Sequence, residues 1–222
     1  MRWIAVMATA GVTFIFDPLC GWCYGAMPAL EQLIESGREV ELLPLAGEAR
    51  LINDDFAGLI WETDRLVAQR TGQPFTPSYY KLLHSRTAQL NSWPASLGIA
   101  AVVRTRPQRR LDALNALHVA RYVSGRDTGD SEVVETILRE IGLRGAADLL
   151  ASSHPALIEA GRVAVNRGRA LLQEHGLDDA PALLMHEADA VRLLTAKELM
   201  HMAMAGRAAG IPQEVFAARA PA

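Results

Sequence analysis

The chain has 222 residues, 50% hydrophobic and 21% charged, enough for one globular core or for one domain carrying a sizeable insertion. That balance excludes a disordered or fibrous protein. The formal net charge of -3 exerts no general pull on phosphate backbones, and no apolar run approaches the roughly 20 residues of a bilayer span, so neither nucleic acid nor a membrane is an expected partner.

The opening MRWIAVMATAG imitates a secretory leader with its basic residue, apolar run and small-x-small end, but its apolar part falls short of the roughly 7 to 15 residues such a leader carries. A cytoplasmic protein is the expectation, with Met7 as well as Met1 available as the start. Val12 to Phe16 is β-branched and aromatic and reads as a strand that ends in the turn pair Asp17-Pro18. A helix follows from near Cys20. Its apolar positions Ala26, Leu30, Leu33 and Ile34 recur at helical spacing, Pro28 predicts a kink, and Gly37 predicts the stop. Glu39 to Leu45 reads as a second strand, so the first 45 residues form a β-α-β unit with parallel strands and a right-handed crossover.

From about Leu51 to Ser153 the strand signal disappears. DFAGLIWETDRLVAQRTG reads as a helix, QPFTPSYY as a proline-rich interruption, and PASLGIAAVVR, RRLDALNALHVARYV and DSEVVETILREIG as further helices. The last is capped by Asp130 or Ser131 and stopped by Gly142. Arg104, Arg106, Arg109 and Arg110 lack interleaved aromatics and read as a solvated surface. Ser153 is the expected cap of a long helix that runs to about His175 and stops at Gly176, with Pro155 in its first turn. Gly161, Ala164 and Gly168 share one face of it, which predicts close packing on a sheet. Two short strands, Ala182 to Met185 and Ala190 to Leu194, are joined by a polar turn over His186 to Asp189, and a helix over Ala196 to Ala209 ends the pattern. The order is β-α-β, helical insertion, α-β-β-α. It closes into one mixed sheet only if the two ends of the chain pack together.

FDPLCGWCYGAMPAL resembles the active-site segment of the FrnE-like members of the DsbA-like branch of the thioredoxin superfamily, and SWPASLGIAAV with ALNALHVARYVSGRD resembles their insertion helices. The resemblance covers nearly the whole chain. It implies an α/β protein with a thioredoxin-like fold, discontinuous over residues 12–50 and 154–215, and a large all-helical insertion domain over 51–153. It also implies a thiol-disulfide oxidoreductase or disulfide isomerase.

The residues support dithiol chemistry in their own right. Cys20 and Cys23 are the only cysteines, and a lone close pair in a reducing compartment points to redox or metal chemistry rather than to a structural staple. A C-x-x-C at a strand-to-helix handover puts the first thiol at the helix N-terminus, where free N–H groups and the helix dipole favour a thiolate. Cys20 is therefore the expected nucleophile. Cys23, one turn later on the same face, is the expected resolving thiol. Gly21 and Trp22 tune the pair from between them, and Asp17 is a candidate for proton transfer or for raising a thiol pKa, although an Asp-Pro turn accounts for it equally.

A structural zinc needs four ligands, and His84, His118, His154, His175, His186 and His201 form no local pair with ligand spacing, so no metal is expected. Thioredoxin-like folds carry a cis-proline beside the dithiol, and Pro181 matches that place. A cis bond there leaves the Ala180 backbone free to pair with an extended substrate. The family commonly has a small β-branched residue before this proline and a threonine after it; this chain has Ala180 and Ala182. Trp22 and Tyr24 are candidate rim residues for a peptide or small thiol. Trp93, Tyr79 and Tyr80 could roof the site or form core, and His118 reads as a satisfied buried or edge histidine.

No bound cofactor is required, and glutathione is a candidate co-substrate. The expected partners are a thiol- or disulfide-containing substrate and a redox recycling partner. Two other classes stay open. Glutathione-dependent isomerases and kappa-class glutathione transferases share the fold, but their usual serine at the first position and their lack of a second cysteine count against them here. A client-binding or redox-sensing module would bind without either cysteine.

Overall fold

The computed structural model describes residues 11–47, 49–187 and 190–208. The candidate starts Met1 and Met7, the 188–189 part of the expected turn, and the stretch from 209 to 215 lie outside the described residues. Strand β1 (Val12–Phe16) is buried along its whole length because it is central in a four-stranded sheet of order β2-β1-β5-β6. It runs parallel to β2 (Val40–Pro44) and antiparallel to β5 (Ala182–His186), which in turn pairs antiparallel with β6 (Val191–Leu194). An apolar run without alternation is what a strand covered on both faces needs. Its one polar residue, Thr13, is satisfied by the Glu41 carboxylate at 3.2 Å and by His186 Nε2 at 2.8 Å. Pro44 lacks a donor and is tolerated at the end of the edge strand β2.

Helix α1 (Gly21–Glu35) leaves the C-terminal end of β1, keeps Pro28 inside it, and stops at Gly37 with φ +87°. The helical block then contains α2 (Asp54–Thr71), α3 (Pro77–Leu83), α4 (Trp93–Thr105), α5 (Arg110–His118), α6 (Ser131–Glu140) and α7 (Arg144–Ala151). Asn53 and Asp130 cap α2 and α6 through their side chains, each worth about 1 kcal/mol. Several features differ from the reading of the sequence. The proline-rich interruption contains a helix, because Pro77 sits at its first turn, where no N–H is needed, and Thr76 accepts from Tyr79 N. Arg50–Leu51 (β3) and Gln89–Leu90 (β4) pair antiparallel, and a π-helical turn, Val119–Val123, extends α5. The cap of α8 (Pro155–Glu174) is His154, whose Nδ1 accepts from Ala156 N; Ser153 instead makes the left-handed turn, φ +46°.

Helix α8 covers one sheet face over a small cluster that includes Ile15, Leu43, Leu45, Leu172 and Leu184. Gly168 makes the expected close approach to the sheet, where an added Cβ would lie 3.1 Å from Leu45, and Ala164 packs against the same cluster. Gly161 faces α4, 2.6 Å from Leu97 on the same test. The other face carries α1 and α9 (Ala196–Ala208) over a larger core that continues from Phe14 and Leu30 into Leu114 and Leu138 of the helical block. No described helix is long and apolar enough to cross a membrane. The arginine segment is more engaged than a solvated loop, since Arg109 pairs with Asp112 and Arg110 donates to the Val40 carbonyl at 2.7 Å.

His118 is fully buried as expected but not satisfied: neither ring nitrogen has a partner, because Tyr24 and Tyr122 present ring faces and edges to it. Burial pulls its pKa down to about 3. The folded state therefore holds a neutral imidazole, and its stability is fully present above about pH 6.5 and lost as pH falls toward 3, where only the unfolded chain takes the proton. His118→Leu is expected to raise the melting temperature by several degrees, since an orphaned buried polar group costs about 1–3 kcal/mol. The gain should widen as pH falls below 6.5; a gain independent of pH in thermal melts would contradict a neutral buried histidine.

Candidate active site

The turn after β1 is held by short contacts. Asp17 Oδ1 accepts from Leu19 N at 2.7 Å, and the Asp17 carbonyl accepts from Cys20 N at 3.1 Å. Cys20 is thereby the N-cap of α1, with extended backbone (φ -92°, ψ 118°), and its carbonyl accepts from Cys23 N and Tyr24 N. Both thiols are free. Cys20 is half-buried, whereas Cys23 is fully buried.

The two sulfurs have different surroundings. Burial pushes the Cys23 thiol well above its ordinary value, the adjacent Cys20 sulfur adds to the rise, and the Asp17 N–H, which donates to Cys23 Sγ at 3.4 Å, opposes it. Asp17 does more than form a turn. Its carboxylate accepts Ser92 Oγ at 2.7 and 2.8 Å, which ties the cysteine loop to the start of α4. Burial raises its pKa, against the lowering effect of the Ser92 and Leu19 hydrogen bonds.

Gly21 has a steric reason to be glycine. A Cβ there would lie 1.8 Å from Oδ1 of Asp64, a buried α2 residue whose Oδ2 accepts from Tyr79 OH at 2.8 Å. Burial raises Asp64 to about 7, against the Tyr79 hydrogen bond and the Arg121 charge. Asp64, Ser92 and Arg121 were not among the site residues read from the sequence. For Asp64 a signal existed, since it falls in the buried series Ala57, Asp64, Val67, Thr71, an acid on the apolar face of its helix.

Trp22 is half-buried, with the Arg70 guanidinium 5.6 Å from its ring centroid. It lines a groove of about 560 Å³ with Arg70, Ala180, Lys197, Met200 and His201. The Ala180-Pro181 bond is cis. The Ala180 amide, however, is not free as expected: it donates to Asp179 Oδ1 at 2.7 Å, because the Asp179 side chain folds onto the next N–H. Tyr24 is not a rim residue either. It is buried, stacked on Tyr122 at 4.8 Å and edge-on to Phe75, since its position on α1 faces the helical block. Tyr79 is core, and Tyr80 is exposed beside Trp61 and His84. Among the described residues, no group of three or more His, Cys, Asp or Glu could hold a metal ion.

No family model and no curated protein matches the chain. Solved structures do. The cytosolic disulfide reductase DsbM from Pseudomonas aeruginosa superposes with a TM-score of 0.79 at 26% identity, covering 89% of this chain and 95% of that one. The chain has a thioredoxin-like fold whose structural neighbours are DsbA-like proteins of the thioredoxin superfamily. DsbM with GSH matches this chain at a TM-score of 0.77 and 27% identity, over 89% and 96% of the two chains. A Nitrosomonas europaea chain described as a candidate protein disulfide isomerase shares the fold, with a TM-score of 0.70 and 18% identity over 91% and 99%. Cys20 and Cys23 stand at the start of α1, after β1, and Ala180, which precedes the cis bond, lines the same groove as Trp22.

Proposed function

We propose that this chain is a cytoplasmic disulfide reductase in which Cys20 attacks, Cys23 resolves and glutathione returns the electrons. The observation that carries this reading is the asymmetry of the dithiol, a half-buried Cys20 at a helix N-cap and a fully buried Cys23 three residues on. The half-buried thiol can meet a substrate while the buried one keeps its proton until needed. Cys20, as thiolate, attacks one sulfur of a substrate disulfide; the S–S bond breaks, and the leaving thiolate takes up a proton. Cys23 then loses its proton and attacks Cys20 Sγ, which releases the second substrate thiol and leaves the Cys20-Cys23 disulfide. The substrate gains two electrons and two protons. Two glutathione thiols reverse the change and become glutathione disulfide.

The groove beside Trp22 supports a small anionic thiol as that donor. It offers Arg70, Lys197 and His201 with no acidic residue among the described residues that line it, next to the apolar faces of Trp22 and Met200. Glutathione presents two carboxylates on a short peptide. Arg70→Ser and Lys197→Ser are each expected to raise the KM for glutathione about threefold to tenfold, most strongly at low salt, with kcat retained. An unchanged KM in steady-state assays would move the donor site elsewhere.

The experiment that tests the function is equilibration of the protein in glutathione redox buffers, with the pair followed by thiol alkylation. A two-electron transition between the Cys20/Cys23 dithiol and its disulfide at a potential close to that of glutathione, so that glutathione can reduce the pair, is the expected result. A pair that never closes would refute the reading.

A further inference from the structure

We propose that the Asp64 carboxylate, seated against Gly21 at the first turn of α1, is a positioning residue that biases the Cys20/Cys23 pair toward giving up electrons. This rests on the dithiol reading above. Nothing in the chemistry of a disulfide exchange requires a third acid, and burying one is costly. Yet α2 drives an aspartate into the apolar seam against α1, and the seam accommodates it only because residue 21 has no side chain. The acid therefore abuts the residue that follows the attacking thiol.

Its charge is not cancelled locally. The hydrogen bond Asp64 receives is from a neutral phenol, Tyr79. The nearby buried cation, Arg121, makes its ion pair with Asp127 at 3.4 Å and lies over the Tyr79 ring, so it tempers Asp64 from a distance. The titratable groups that feel Asp64 are Tyr79 from α3 and Arg121 and Tyr122 from the π-helical turn, and Cys20, the N-cap of α1, directly precedes the Gly21 that Asp64 abuts. Because burial brings Asp64 to about 7, its charge appears as pH passes neutrality.

The direction follows from like charges. An ionised carboxylate beside the first turn of α1 opposes the dipole and N–H groups that stabilise a thiolate there. Destabilising the thiolate disfavours the reduced pair relative to its disulfide, which makes the pair a stronger reductant. When Asp64 is protonated, the bias relaxes.

Asp64→Asn keeps the shape and removes the charge. Against glutathione buffers at pH 7.5, the variant is expected to shift the dithiol/disulfide equilibrium about tenfold toward the dithiol, a potential about 30 mV less negative. In wild-type protein the rate of Cys20 alkylation against pH should carry an inflection near 7 that the variant lacks. Tyr79→Phe, which withdraws the hydrogen bond that favours the ionised acid, should move the equilibrium in the same direction by less and serves if the asparagine variant fails to fold. Should wild-type protein cycle normally while a folded variant keeps the wild-type potential and alkylation profile, Asp64 is a packing residue and the proposal falls alone. If wild-type protein never forms the Cys20-Cys23 disulfide, the dithiol reading falls first and takes this one with it.

Discussion

Cys23→Ser is expected to halt the protein after its first chemical step. Cys20 still attacks, but without the buried thiol nothing inside the protein displaces the bound half of the substrate, so a mixed disulfide on Cys20 accumulates. Intact mass after exposure to glutathione disulfide should show one glutathione per chain, removable by a dithiol reductant. Cys20→Ser should instead bind none and lose turnover by at least about a thousandfold, because a serine hydroxyl at neutral pH is a far poorer nucleophile than a thiolate. The contrast between the variants is the informative part. If Cys20→Ser traps the adduct and Cys23→Ser does not, the roles are reversed, against the burial of the two sulfurs.

Gly21→Ala should be the most damaging single methyl group at the site. The added carbon would sit 1.8 Å from Asp64 Oδ1 and 2.7 Å from its Cγ, and the aspartate, buried in the α1–α2 seam, has no solvent side to swing into. Overpacking of this kind costs about 1–3 kcal/mol. For a chain of this length that corresponds to a melting temperature lower by about 2–10 °C. Asp64→Ala on the Gly21→Ala background opens the space again, so the two changes should be strongly non-additive in a double-mutant cycle. Simple additivity in thermal melts would mean that α1 and α2 do not meet as described.

Much of the local structure was legible in the residue pattern. An unbroken β-branched and aromatic run followed by Asp-Pro placed β1, and the helical spacing from Ala26 to Ile34 with Gly37 placed α1, because backbone sterics and one-sided burial act within a few residues. The cysteines at that handover were readable for the same reason. Helix α7 and the helix inside the proline-rich stretch were not, since short helices depend on caps and on packing rather than on a long period.

The sequence by itself determined that two thiols stand one turn apart at the mouth of a helix, that a helical block interrupts a β-α-β and β-β-α framework, and that a proline precedes the returning strand. Only the tertiary structure decided the surroundings of those thiols. Periodicity tells which face of a helix is covered but not what covers it, and each deciding contact joins segments far apart in the chain. Asp64 meets Gly21, Ser92 meets Asp17, and Arg70 meets Trp22 across the gap between the sheet unit and the helical block. Tyr24, polar enough in sequence for a rim, is buried because Phe75, His118 and Tyr122 arrive to enclose it.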